Sequence, residues 1–226
     1  MLSFIAAAVL LPQDAGVAQP QGQTPPQTAA SAARKVAVLP WCLKDGTDTA
    51  VETARDTVHK IFESVNYEVI PEVRTKSVWE EDLGYPALKL SVGGGEAYPD
   101  LPPAKQLLEI GKKMGVDLVC AGRAKWHTKS VWVSLGPKTK ADCTVDVIIV
   151  DVAKEEVVLD AKDVKSDSTK KEHALESFGT LFISGGFTMV SGGPKTPHQK
   201  RAALNAIAKA TEPWVQTAAQ SRRKIG

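Results

Sequence analysis

The clearest pattern in the chain is a helix that ends abruptly and leads into a buried strand, between Leu107 and Gly122. Small and apolar residues recur at three- and four-residue spacing, which places Ala104, Leu107, Gly111 and Met114 on one helical face. Gly115 follows as the residue best able to adopt the left-handed conformation of a helix cap. The run from Asp117 to Ala121 has no polar alternation, so it predicts a strand buried on both faces. A sheet covered by helices buries such a strand, and the predicted fold class is α/β.

A strand-helix-strand unit precedes this stretch. Residues 35–41 are apolar on both alternating faces and predict a second buried strand. Thr47 or Asp48 is placed to cap a helix that runs to about Val65, and residues 67–71 follow as a short strand. The unit predicts a parallel portion of the sheet with a right-handed crossover.

The segment from Val73 to Pro103 has no clear period and is rich in glycine and proline. It is predicted to be a long connection, with a short helix around residues 78–83 as an alternative reading of part of it. Connections of this length in a compact domain are often functional.

After Gly122 the pattern changes to strands joined by hairpins. Residues 123–129 and 130–135 are predicted to flank a tight polar turn near Lys129, so that Trp126 and Trp132 pair across the hairpin. Two more strands are predicted at 143–151 and 157–162. In the first of these, Asp146 falls on the face opposite Cys143, Val145 and Val147, which predicts that one side of the sheet is partly open to water.

The carboxyl-terminal third is predicted to contain two helices, from His173 to about Phe182 and from Thr196 onwards. Thr196, Pro197 and Gln199 form a favourable start for the second helix, which is expected to pack on the sheet. The apolar, glycine-rich stretch 179–193 has two interpretations, a buried turn and strand or a surface patch for a partner or a membrane.

The amino terminus carries an uncharged apolar run, residues 2–11, that is too short to span a membrane and has the length of a secretory signal. We predict a signal peptide over 1–18, a disordered linker over 19–33, a single α/β domain over 34–220 and a basic tail over 221–226. An amino-terminal anchor or a packed helix is the alternative for the apolar run. The predicted location is the periplasm or the cell exterior.

Composition narrows the function classes. The 226 residues are 43% hydrophobic and 24% charged, which is typical of a globular protein, and the formal net charge is only +2. Because no strongly basic field is present, nucleic-acid binding is not expected. Membrane association without spanning stays open.

Several segments resemble a known family when they are taken together. These segments are residues 36–40, the helix leading to residues 115–119 with Gly122, and residues 148–152 followed by 156–158. They resemble the α/β domain of bacterial envelope proteins such as the amino-terminal domain of TolB and the curli secretion channel subunit CsgG. The resemblance implies an exported domain that works by assembling with other envelope components or with itself, and it implies no catalytic group.

Candidate chemistry is sparse. The sequence has no G-x-S-x-G, H-E-x-x-H, C-x-x-C or Walker motif, and its four histidines lack metal-ligand spacing, so no cofactor and no metal site are expected. The three cysteines fall in or beside predicted strands, where packing thiols are favoured over one disulfide. Four residues are candidates for binding: Trp126 and Trp132 as a stacking platform, with core or edge packing as the alternative, and Lys195 and His198 beside an anion at the start of the last helix.

The predicted function is that of an exported, non-enzymatic envelope protein that acts through protein-protein interaction. The alternative is a small enzyme or ligand-binding domain whose site lies in the 73–103 connection, at the ends of the strands where α/β sheets usually bind ligands.

Overall fold

A computed structural model of the chain describes residues 33–92, 96–133, 136–168 and 196–223. The described helices are α1 (Asp48–Ser64), α2 (Glu72–Ser77), α3 (Ala104–Met114) and α4 (Thr196–Arg223), and a π-helical turn (Val78–Asp82) follows α2 directly. The strands are β1 (Arg34–Val38), β2 (Cys42–Lys44), β3 (Tyr67–Ile70), β4 (Ser91–Val92), β5 (Leu118–Val133), β6 (Gly136–Asp151) and β7 (Glu156–Asp167).

One mixed sheet contains all seven of the described strands, with β5 at its centre. On one side β5 pairs in parallel with β1 and, further along, with β2; β3 lies outside β1 and β4 lies outside β2. On the other side β5 pairs with β6 in antiparallel orientation, and β6 pairs with β7 in the same way. The predicted α/β class, with a parallel strand-helix-strand portion and antiparallel hairpins, is confirmed.

Helices cover both faces of the sheet and divide the core in two. The larger core lies under α1 and α4 and includes Phe62, Ile149 and Trp214. The smaller core lies under α3 and the π-helical turn and includes Leu107, Ile110 and Trp79. Residues 118–121 of β5 are at most 2% exposed, because their side chains enter these two cores alternately. The predicted double burial of this strand is confirmed.

The predicted strand over residues 35–41 ends earlier in the structure, at Val38, and a second strand, β2, begins at Cys42. Val38 lies opposite Cys120 and Cys42 lies opposite Arg123, so the β1–β2 side has one residue more than β5 over the same length. Such an insertion interrupts the ladder as a β-bulge does. Trp41 lies at this interruption and is 1% exposed. Its ring packs against Gly122, where an added Cβ would lie only 2.3 Å from the ring. Gly122 therefore makes room for the indole.

The predicted turn near Lys129 is wrong. β5 continues through this position to Val133 and pairs with β6 without interruption, from Leu118 opposite Asp151 to Val133 opposite Gly136. Trp126 and Trp132 are on the same strand, so they do not pair across a hairpin. The polar residues there suggested a turn, but Lys129 and Ser130 are instead exposed positions of a strand.

Other predicted elements are confirmed with small changes. The helix α1 begins and ends where predicted, and helical structure occupies residues 78–82 inside the long connection. The last helix packs on the sheet as predicted, with Ala203, Ala206 and Ile207 fully buried and Trp214 in the same core. The predictions for residues 1–32, the helix at 173–182 and the stretch 179–193 lie outside the described residues.

Gly115 ends α3 in the left-handed region, with φ +63° and ψ +43°. An alanine in this conformation brings its Cβ close to the carbonyl oxygen, whereas asparagine tolerates the region better. We expect Gly115→Ala to lower the free energy of unfolding by about 1 kcal/mol, and Gly115→Asn to lower it by less. No atom lies within 4 Å of a Cβ added at position 115, so a steric clash would not explain the loss. Urea unfolding measures both variants. If Gly115→Ala and Gly115→Asn lost the same stability, the left-handed backbone would not be the cause.

Candidate functional site

The long connection folds back over the sheet and forms a cleft at the carboxyl end of β1. This loop cleft, of about 370 Å³, lies between the connection and the strands. Its walls are mainly apolar and rich in proline: Leu39, Pro40, Pro86, Leu88, Leu101 and Pro102. Ala121, Gly122 and Arg123 of β5 also line the cleft. The cleft therefore lies in the part of the chain where the alternative function placed a site.

Arg123 and Asp146 form an ion pair beside this cleft. They are opposite each other in the β5–β6 register, and Arg123 Nε donates to Asp146 Oδ2 at 2.5 Å. The other carboxylate oxygen accepts from the backbone N–H of Asp163 at 2.6 Å. Asp163 has φ +53° in a stretch of β7 where the register with β6 shifts, and this irregularity accompanies the backbone bond to the carboxylate. Asp146 is on the predicted face, but it is 6% exposed rather than open to water.

The same arginine fastens the long connection to the sheet. Arg123 Nη1 donates to the backbone oxygen of Pro99 at 2.5 Å, and Asp100 lies 3.5 Å from the same nitrogen. The Tyr98 ring lies against the guanidinium, with its centroid 4.6 Å from Cζ. Such stacking of a cation on an aromatic face is attractive. Arg123 thus joins β5, β6 and the segment 98–100.

A second cleft, of about 420 Å³, lies on the other side of Arg123 and the segment 98–100. It shares Arg123 and residues 100–103 with the loop cleft and extends over β6 and β7, where Asp146, Ile148 and Val157 line it. Val157 is 44% exposed, which is unusual for a large apolar side chain in this structure. Three further charged residues, Asp160, Lys162 and Asp163, also line this second cleft.

The ion pair beside the loop cleft is held by contacts within the fold. Arg123 and Asp146 direct their polar atoms at each other and at backbone groups, so neither offers an unengaged acid or base. Burial raises the pKa of the Cys42 thiol, and the nearby cations Arg123, Lys89 and Lys44 only partly oppose this. Burial also raises the pKa of Tyr98, whose hydroxyl has no partner within the described residues. Both groups are neutral at pH 7.

The thiol of Cys42 gives a direct test of this assignment. Because its pKa is raised, the thiolate appears only at higher pH than in an unstructured peptide. We expect alkylation of the native protein at pH 7 to be at least about tenfold slower than that of a cysteine peptide, and to accelerate only above the usual thiol range. Mass spectrometry of the alkylated peptide measures the rate. Faster reaction than in the peptide would indicate an activated nucleophile and would contradict the assignment.

The structure places the first predicted binding residue, Trp126, in the core. It is 1% exposed, and its ring lies against Gly46, where an added Cβ would be 2.8 Å away. Its indole Nε1 donates to the backbone oxygen of Gln199 at 3.0 Å. This is the packing alternative weighed for Trp126, and an indole so enclosed has no face available for stacking.

Gln199 connects the start of α4 to the sheet and the first loop. Its amide oxygen accepts from the Thr47 N–H at 2.9 Å, and its amide nitrogen donates to Thr128 Oγ1 at 3.0 Å and to the Asp45 oxygen at 3.3 Å. The side chain predicted to reach back along its own helix thus bonds other elements. His198 is half-buried in the same turn of α4. Lys195 lies outside the described residues, and Trp132 is described only by its backbone in β5, opposite Pro137.

Within the described ranges, no group of three or more His, Cys, Asp or Glu side chains could hold a metal ion. Cys42, Cys120 and Cys143 are free and buried, as favoured from their strand positions. No helix among the described residues is long and apolar enough to cross a membrane.

Arg123 and Tyr98 were not predicted from the sequence. A signal existed for the first, because extending the β5–β6 register outward from the buried segments 118–121 and 147–150 brings residue 123 opposite Asp146. Nothing in the sequence indicated that Tyr98 would return to the same point, since its segment has no period.

The chain thus has a three-layer α/β fold with a mainly apolar loop cleft. Solved bacterial proteins, one of them a lipoprotein, show a distant similarity to it. Lipoprotein GNA1162 from Neisseria meningitidis is 11% identical, with 67% of this chain and 94% of that chain covered and a TM-score of 0.38. The hypothetical protein CT253 from Chlamydia trachomatis is 15% identical, with 81% and 98% covered and a TM-score of 0.40. The carboxyl-terminal domain of LpoB from Salmonella enterica is 14% identical, with 62% and 87% covered and a TM-score of 0.34.

No family model and no curated protein sequence matches the chain. At these identities and TM-scores the solved structures carry no argument about function.

Proposed function

We propose that this protein is exported to the bacterial cell envelope and acts there by binding protein partners or further copies of itself, without catalysing a reaction. The observation that carries the proposal is the loop cleft beside Arg123. Arg123 holds the connection in place, while the walls of the cleft are mainly apolar and rich in proline. An apolar surface with few convergent polar groups favours recognition of another chain over reaction chemistry.

Export is supported by the signal-like apolar run at residues 2–11 and by the polar segment that separates it from the domain. The resemblance to the TolB amino-terminal domain and to CsgG-like proteins supports the same location. We therefore propose residues 1–18 as a signal peptide, 19–33 as a linker and 34–220 as the functional domain, ahead of a short basic tail.

Two measurements test the proposal. Fractionation of a bacterial host is expected to recover the chain from the envelope, and recovery from the cytosol with residues 1–18 intact would refute export. For the binding surface, a photo-crosslinking residue is placed at Lys89, which lines the loop cleft and is exposed, and at Lys154, which is exposed in the β6–β7 turn. Crosslinked products are expected from position 89 and not from position 154. Equal products from both would refute a specific surface.

A second function, binding of a small apolar ligand, is favoured by the size of the loop cleft. Its volume of about 370 Å³ lies within the range of small-molecule sites, and its walls are mainly apolar. An apolar ligand would suit these features. Saturable stabilisation of the protein by apolar compounds would favour this function over protein binding.

A further inference from the structure

Among the described residues, the β5–β6 hairpin extends beyond the elements that surround its base. The outermost bonds that these residues receive from other described elements are those of Gln199 to Thr128 and of Ser168 to Ala141. From that level outward, among the described strands, residues 128–133 of β5 pair only with residues 136–141 of β6. We call these twelve residues the hairpin arm. At about 3.4 Å per residue its two strands are about 17 Å long.

One face at the base of the arm is basic. Because side chains alternate along a strand, Lys125, His127 and Lys129 are on the same face of β5, and all three are exposed. Lys140 is opposite Lys129 in the register and is exposed as well. Asp142 lies opposite His127, and its carboxylate is 4.0 Å from the Lys129 ammonium. The three lysines therefore exceed the acidic charge at these positions of β5 and β6.

The far end of the arm is apolar in sequence. Val131, Trp132 and Val133 are the last described residues of β5, and Gly136, Pro137 and Lys138 are opposite them. One strand thus carries cationic side chains followed by apolar and aromatic residues at its tip. Tryptophan at the end of such a segment, with lysines just behind it, is the arrangement that suits a membrane-water interface.

We propose that the hairpin arm docks on an anionic membrane surface. Residues 131–133 enter the boundary between headgroups and acyl chains, and Lys125, Lys129 and Lys140 meet the phosphate groups. An anionic nucleic acid or an acidic protein would contact only the lysines. Neither would bind the apolar residues 131–133, whereas a membrane accounts for both parts of the arm. The arm is separate in sequence and position from the loop cleft, so this membrane contact is an activity beyond the proposed partner binding.

A dye attached to the arm distinguishes membrane contact by the arm from membrane contact by the apolar residues 2–11. The native cysteines are buried, so a cysteine introduced as Ser130→Cys on exposed β5 can be labelled selectively with a polarity-sensitive dye. Lys105→Cys, exposed on α3, serves as the matched control. With the full chain, vesicles of equimolar phosphatidylcholine and phosphatidylglycerol are expected to shift the emission of the dye at position 130 to the blue and to leave position 105 unchanged. Equal shifts, or none, would overturn the proposal.

Charge and tip variants in the Ser130→Cys background then test the two parts of the surface. Lys125→Gln with Lys129→Gln is expected to weaken vesicle binding by roughly fivefold per lysine at low salt, whereas Lys105→Gln with Lys113→Gln changes the same net charge away from the arm and leaves binding nearly unaltered. Equal weakening by both pairs would reduce the effect to net charge and would overturn the proposal.

Trp132→Ser, or Val131→Thr with Val133→Thr, is expected to weaken binding at least about threefold, with circular dichroism unchanged. The pair of threonines keeps strand propensity, so it remains informative if Trp132→Ser misfolds. Full binding by both tip variants, or a dye response to heparin without one to vesicles, would overturn the membrane assignment.

Discussion

Replacing Arg123 by methionine is expected to lower the free energy of unfolding by about 3 kcal/mol, the lower end for a buried pair that loses one partner. Asp146 would keep its charge at 8% side-chain exposure with only the Asp163 N–H bonded to it. The Arg123 side chain is 21% exposed, which reduces the loss from that of a fully buried pair. Urea unfolding gives the change, and limited proteolysis between residues 96 and 103 is expected to accelerate because the bond to Pro99 is lost.

Two further variants identify the cause of this loss. Lys112→Met breaks an ion pair with Glu155 whose side chains are 55% and 60% exposed, so its cost is expected to stay within about 0.5 kcal/mol. Adding Asp146→Asn to Arg123→Met removes the isolated charge and keeps an acceptor for the Asp163 N–H, so part of the stability should return. A loss as small as that of Lys112→Met would contradict the role assigned to Arg123.

Gly122→Ala is expected to cost about 3 kcal/mol, because adding a methylene to a filled core forces its neighbours to move. The added Cβ would lie 2.3 Å from two atoms of the Trp41 ring, and Trp41 is 1% exposed and has little freedom to shift. The cleft wall formed by residues 121–123 would move with it, so crosslinking from Lys89 should also decline. Urea unfolding and the crosslinking yield measure the two effects.

A double-mutant cycle separates steric overlap from strand propensity. In a Trp41→Phe background the smaller ring leaves space, and Gly122→Ala is expected to cost much less than in the parent protein. Ser130→Ala, a change at an exposed position of the same strand, should alter stability by no more than about 0.5 kcal/mol. If Gly122→Ala cost the same in both backgrounds, close approach of the indole would not be its cause.

Much of the fold could be predicted because its signals are local. The spacing of apolar residues along α1 and α3 defines their inner faces, and Gly115 occupies the left-handed cap that its position indicated. The alternation in β6 places Cys143, Val145 and Val147 in one core and Asp146 on the opposite face. Each of these depends on residues a few positions apart, whose side-chain directions are fixed by the geometry of one helix or strand.

The candidate site could be placed only in part. The 73–103 connection was an expected location because parallel strands end beside it, and the loop cleft is there. The residues that organise it were missed. Arg123 acquires its role from Asp146, 23 positions away, and from Pro99, 24 positions away on the other side.

By itself, the sequence determined the α/β class, the bounds of α1 and β3, the end of α3 and the double burial of residues 118–121, because periodicity and caps are properties of a short stretch of chain. The tertiary structure decided whether the polar residues at 128–130 turn or continue, and which side chains meet at the end of the sheet. In β5 they continue because β6 pairs with them through to Gly136. That ladder depends on hydrogen bonds to another strand, so local composition alone could not reveal it.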